Sequence, residues 1–138
     1  MEKEDRVFVF GSNLGGLHAG GAAKFAHEQR DAVWGVGIGP TGQAYALPTM
    51  SAEFKPLSLQ EVKKHVDDFI FYARSVPKVR FQVTAVGCGI AGFKVKDIAP
   101  MFKDVPDNCD LPPEFVAELA FNESAGSFEN VGDVVIQT

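Results

Sequence analysis

The sequence predicts an α/β domain in which alternating strands and helices build a three-layer αβα sandwich. Two glycine-rich loops predict it, each set directly behind a short apolar run and ahead of helix-compatible residues. The first is Gly11-Ser12-Asn13-Leu14-Gly15-Gly16-Leu17-His18-Ala19-Gly20-Gly21, behind Val7-Phe8-Val9-Phe10. The second is Gly87-Cys88-Gly89-Ile90-Ala91-Gly92, behind Phe81-Gln82-Val83-Thr84-Ala85-Val86. The third observation is the long amphipathic helix that the apolar spacing predicts between them, from Ser58 to about Ser75.

Arg6 to Phe10 reads as a strand buried on both faces, as in a parallel sheet. A helix from about Gly21 to Gln29 follows the first loop. Asp31 to Gly39 is punctuated by glycine and reads as irregular strand, and Pro40-Thr41-Gly42-Gln43 carries turn chemistry. Tyr45 to Thr49 is a brief strand that Pro48 ends or pushes to an edge. In the long helix Ser58-x-x-Glu61 forms a capping box, with Leu57 and Val62 at the staple positions. Leu59, Val62, Val66, Phe69, Ile70 and Ala73 make its apolar face, and Lys63, Lys64 and Asp67 face solvent. Pro77 closes it and Phe81-Val83-Ala85 begins the next strand. Asp97 reads as the N-cap of a short helix through Phe102, with Pro100 tolerated in its first turn. Lys103 to Pro113 reads as loop, Glu114 to Phe121 as a helix, and Val134-Val135-Ile136 as a last strand.

The 138 residues fit one domain spanning 1–138, with 46% hydrophobic and 22% charged residues. Twelve phenylalanines against one tryptophan point to core filling. The net charge of −5 argues against a nucleic-acid groove, which needs a basic face, but not against a small anion held by backbone donors. No apolar run reaches a membrane span, and Met1 to Arg6 lacks the apolar core of a secretory signal, so no membrane partner is expected. The cysteines at 88 and 109 are too few for a disulfide scaffold, and with the histidines at 18, 27 and 65 they make no metal-like spacing. The expectation is a cytoplasmic protein with reduced thiols, no metal and no cofactor.

The loops carry the chemistry. A glycine-lined strand-to-helix crossing lets ligand oxygens reach bare backbone N–H groups, and a helix N-terminus beside it favours negative charge. In a sheet of this class both loops lie beyond the carboxyl ends of the strands, where ligands bind. The candidate ligand-binding residues are Gly11, Ser12, Asn13, Gly16, His18, Gly20 and Gly21 in the first loop, and Gly87, Cys88, Gly89, Ile90, Ala91, Gly92 and Phe93 in the second. Several have a second reading. Asn13 and Ser12 suit a ribose hydroxyl or an Asx-type turn. His18 suits a phosphate, acid–base work, or no role beyond the loop. Cys88 is a nucleophile with lowered pKa, or a small apolar filler. Phe93 and Tyr45 stack on a base, or belong to the core.

Three segments also resemble a known family. Phe10-Gly11-Ser12-Asn13 through Gly16, His18 and Gly20-Gly21-Ala22 is similar to a first loop in which an asparagine precedes a glycine cluster and a helix. Ala32 to Gly39 with Tyr45-Ala46-Leu47-Pro48 is similar to a strand pair ending in a Tyr-x-Leu-Pro stretch. Gly87-Cys88-Gly89-Ile90-Ala91-Gly92-Phe93 is similar to a second, phosphate-binding loop. The family these resemble is the macrodomains, specifically a divergent, phage-related macrodomain-like branch.

The resemblance spans about residues 6 to 102 and implies a mixed central sheet between helices, with a cleft for ADP-ribose. The first loop would wrap the distal ribose and the second would cradle the diphosphate. The chain departs from the hydrolytic branches: its first loop holds no aspartate, and Ala91 stands where one branch has an aspartate after Gly-Cys-Gly-Leu. The early aspartate that reads adenine has no match either. The expected function is therefore binding of ADP-ribose or a related nucleotide diphosphate. The alternatives are a glycohydrolase acting on an ADP-ribose conjugate, a Rossmann-like nucleotide-processing enzyme using Cys88 or His18, and a structural phage component with a vestigial cleft. Hydrolysis would require Glu53, Asp97 or Asp104 to reach the cleft.

Overall fold

A computed structural model of the chain describes residues 5–134, with side chains as far as residue 123. Five strands form one mixed sheet: β1 (Val7–Asn13), β2 (Gly39–Thr41), β3 (Ala44–Met50), β4 (Phe81–Val83) and β5 (Cys109–Asp110), in the order β2-β3-β1-β4-β5. β1 runs parallel to β3 and β4, β4 runs parallel to β5, and only β2 is antiparallel to its neighbour. The helices are α1 (Gly21–Gln29), α2 (Leu59–Ser75), α3 (Val95–Ile98) and α4 (Pro113–Val134), with a 3₁₀ turn at Ala99–Phe102 after α3. The fold is α/β and compatible with a three-layer sandwich.

Alternation along the strands divides the core in two. Phe8, Phe10, Ala44 and Ala46 pack with Ala23 and Ala26 of α1. Val9, Tyr45, Leu47, Phe81 and Val83 pack with Val62, Val66, Phe69 and Phe102 and with Phe115 of α4. On the first face alanines of α1 and β3 meet Phe8 and Phe10, and Phe69, Phe81, Phe102 and Phe115 fill the layer opposite. Phe69 meets Tyr45, Phe81 and Phe102 with ring centroids 5.0, 5.3 and 6.5 Å away.

α2 forms as its sequence dictates. Ser58 Oγ accepts from the Glu61 N–H at 3.1 Å, and Glu61 Oε1 accepts from the Ser58 N–H at 2.9 Å. Leu57 and Val62 are both buried, as a staple requires, and Lys63 pairs with Asp67 one turn on at 2.8 Å. Leu59 departs from the expected apolar stripe and is exposed, because as the first helical residue it stands before the turn that meets the sheet.

Other expectations are corrected. Pro48 does not end β3, which continues to Met50 with every residue buried. β2 reaches only as far as Ala46, so at Pro48 that side of β3 is open and a residue without an N–H is tolerated. Asp97 is not a cap: α3 starts at Val95 behind Lys94, and Asp97 lies in the first turn. The stretch 103–113 contains β5, too short for any periodicity to announce. α4 runs beyond Phe121 to Val134, through residues of low helix propensity. The expected last strand therefore loses Val134 to the helix, and Val135-Ile136 lies outside the described residues.

No helix among the described residues is long and apolar enough to cross a membrane.

Candidate functional site

β1 and β4 are parallel neighbours, so the loops that follow them emerge at the same end of the sheet. The chain leaves β1 through α1 toward the β3 side and leaves β4 through α3 toward β5. Two adjacent strands whose connections diverge leave a crevice between them, the switch point at which ligands enter open α/β sheets. A cleft of about 510 Å³ lies there.

The cleft takes in both loops. Its walls include Gly11 and Asn13, which belong to the end of β1 where the sequence suggested loop, Gly20 and Gly21 from the rest of the first loop, and Gly87, Cys88, Gly89, Ile90 and Ala91 from the second. Ile90, 70% exposed, reaches across, with its Cδ1 3.4 Å from where a Gly21 Cβ would stand. Phe93 N–H closes the second loop on Gly87 O at 2.8 Å, and Gly92 N–H donates to Gly89 O at 3.0 Å. Within that closed turn the N–H groups of Gly89, Ile90 and Ala91 have no acceptor among the described residues. Across the cleft, α1 begins at Gly21 behind Gly20, its N-cap, with no side-chain cap and no acid in its first turn. Both features present positive backbone dipoles.

Five candidates stand outside the lining and brace it. Ser12 Oγ donates to Gly37 O at 2.6 Å. Gly16 adopts φ +69, and a Cβ there would meet Gly35 C at 2.2 Å, so the first loop packs backbone to backbone on the 35–37 segment. His18, 1% exposed, donates from Nε2 to Val33 O at 2.9 Å and sits between Phe10 and Trp34. A carbonyl only accepts, so Nε2 carries the proton, and Nδ1 is buried without a hydrogen-bond partner among the described residues. Gly92 holds φ +80 in the turn, and Phe93 packs on the core beneath it. Asn13 lines the cleft, yet its amide is spent on Leu17: Oδ1 accepts from the N–H at 3.0 Å and Nδ2 donates to the carbonyl at 2.9 Å. Tyr45 is core.

The Cys88 thiol is pushed above its ordinary pKa by burial, with the Glu114 carboxylate adding to the shift. No helix begins at the sulfur, since α3 starts at Val95. Cys88 is a protonated wall residue at neutral pH, and His18 lies behind the first loop rather than beside it. The physical conditions for a thiolate nucleophile are not met.

Sequence reasoning missed Thr49, Met50 and Phe54, which the parallel β1–β3 pairing delivers to the same sheet end. It also missed Glu114, from the first turn of α4. Glu53, Asp97 and Asp104 do not line the cleft, and among the described residues the charged side chain in its wall is Glu114. Among the described residues no group of three His, Cys, Asp or Glu could hold a metal ion. No family model, curated protein or solved structure matches the chain.

Proposed function

We propose that the cleft binds ADP-ribose or a related nucleotide-diphosphate compound, and that the domain is macrodomain-like. The observation that carries this reading is the convergence of two backbone-donor surfaces, the turn at Gly89 to Ala91 and the uncapped start of α1, on one cleft. The volume of about 510 Å³ suits a small-molecule ligand. Apolar walls from Leu17, Met50, Phe54 and Val95 suit the uncharged parts of such a ligand. The mixed sheet, with both glycine loops at one end, is the arrangement that the family likeness implies.

Calorimetry against ADP-ribose, ADP, UDP-glucose and inorganic pyrophosphate tests the reading, with Gly89→Val as the control. A Cβ on Gly89 meets nothing within 4 Å, so the variant folds while its branched side chain covers the N–H groups. Binding by wild type and its loss in Gly89→Val is the expected result. Equal binding by both proteins removes the second loop from the site.

A second reading is favoured by Glu114. A carboxylate in the wall is the group a glycohydrolase uses to activate water against an anomeric carbon. On this reading the diphosphate is held by the loops, and Glu114 takes the proton of the attacking water.

A further inference from the structure

We propose that Phe54 is the platform on which a planar ring of the bound ligand, a nucleobase, stacks. The inference rests on the reading of the cleft as a nucleotide-diphosphate site. Phe54 lines the cleft, is 48% exposed and belongs to neither core cluster. Its backbone is left-handed, at φ +64. Among the described residues only one other non-glycine shares that region, Asp31 at φ 63 after α1, and a short polar side chain tolerates it where a bulky aromatic does not.

The loop imposes this conformation. Ser51 Oγ accepts from the N–H groups of Glu53 at 3.2 Å and Lys55 at 3.3 Å. Phe54 N–H donates to Ser51 O at 3.0 Å, and Ser51 N–H donates to Lys55 O at 2.8 Å. Met50 then pairs with Pro56, and Leu57 N–H reaches Thr49 O at 3.0 Å. A Cβ on Gly15 would sit 3.3 Å from that of Ala52, which ties this tight loop to the first glycine loop. A turn of this shape is most easily made with glycine at position 54. An aromatic ring there, held against its backbone preference and exposed over a cleft, contributes nothing to the core. Strain of this kind accumulates where a side chain must meet a ligand. The backbone donors of the cleft take the anionic part of a nucleotide, and the ring of Phe54 takes its base.

The test compares ADP-ribose with inorganic pyrophosphate, which has no ring, by calorimetry on wild type, Phe54→Gly and Phe54→Tyr. Phe54→Gly is expected to weaken ADP-ribose binding by about tenfold or more, the effect of losing one stacked base. Pyrophosphate affinity should stay within about twofold, a change too small to reflect a lost contact. Its Tm should equal or exceed that of wild type, because glycine relieves the left-handed backbone. Phe54→Tyr should keep wild-type affinity for both. Unchanged ADP-ribose binding in Phe54→Gly overturns the platform and leaves the nucleotide reading standing. Equal weakening of both ligands, or a lowered Tm, overturns it by giving Phe54 a structural role. A wild-type protein that binds neither ligand overturns the nucleotide reading, and this inference falls with it.

Discussion

Gly11 and Gly87 meet at the floor of the cleft: a Cβ on Gly11 would lie 3.1 Å from the backbone nitrogen of Gly87. Thr49 Oγ1 would stand 3.5 Å from the same carbon. The two loops thus come this close because Gly11 carries no methyl group. Gly11→Ala is expected to push Gly87 outward, lowering stability by about 1–3 kcal/mol as overpacking does. Denaturant titration measures the loss, and ligand affinity should fall with it. A variant as stable as wild type would mean that the floor yields freely.

Glu114 separates binding from turnover. Glu114→Gln keeps the shape of the side chain and removes its basicity. On the binding reading, affinity for ADP-ribose stays level or rises, since a negative charge leaves an anion site. On the hydrolytic reading, release of ADP-ribose from a conjugate falls by about 10²–10⁴-fold while binding persists. Product release measured on both proteins decides between them.

Cys88 and Cys109 should behave as ordinary or sluggish thiols. Burial raises both, and Cys109, beside Asp110, is pushed up to about 11. Alkylation by iodoacetamide is expected to accelerate through pH 9 at both positions, with Cys109 the slower. A plateau for Cys88 well below about 8.5, the free-thiol value, would falsify the protonated assignment.

Asp110 in β5 pairs with Arg6 and Arg80, the residues that immediately precede β1 and β4. Partial burial pushes its carboxyl up, but hydrogen bonds from Arg80 and Arg6 outweigh that and leave the pKa lowered. Arg6 Nη1 lies 3.2 Å from Asp110 Oδ2. A lowered folded pKa means that this stability is present above the unfolded value of about 3.9 and is lost as pH falls through the folded value. Asp110→Asn should therefore cost less than about 1 kcal/mol at neutral pH, given its exposure to solvent screening. The gap to wild type should close in acid below about pH 4, as seen in Tm against pH.

The elements that the sequence announces are those whose signal is local. α2 carries its own cap, staple and stripe, and α1 starts at the glycines that end its loop. β5 could not be read, because two residues have no period and pair only once β4 is in place. The site divides in the same way. Both glycine loops are legible as crossings, but which residues face the cleft is not, since Ser12 and His18 turn toward Gly37 and Val33. The run Gly35-x-Gly37 reads as irregular strand, while its role is to let the first loop's backbone pass: a Cβ on Gly37 would fall 2.2 Å from Asn13 O. Glu114 lies 22 residues beyond Gly92, and only tertiary folding brings it to the wall.

The two outer strands have a consequence for how this sheet meets other chains. β2 is three residues long with the exposed Pro40 at its centre, and β5 is two residues long. Short edges, one carrying a residue without an N–H, give an incoming strand almost no ladder to extend. β1 lies between β3 and β4, and β2 covers the outer side of β3 from Ala44 to Ala46. By this edge geometry, strand addition to the described sheet has little backbone to extend at either margin.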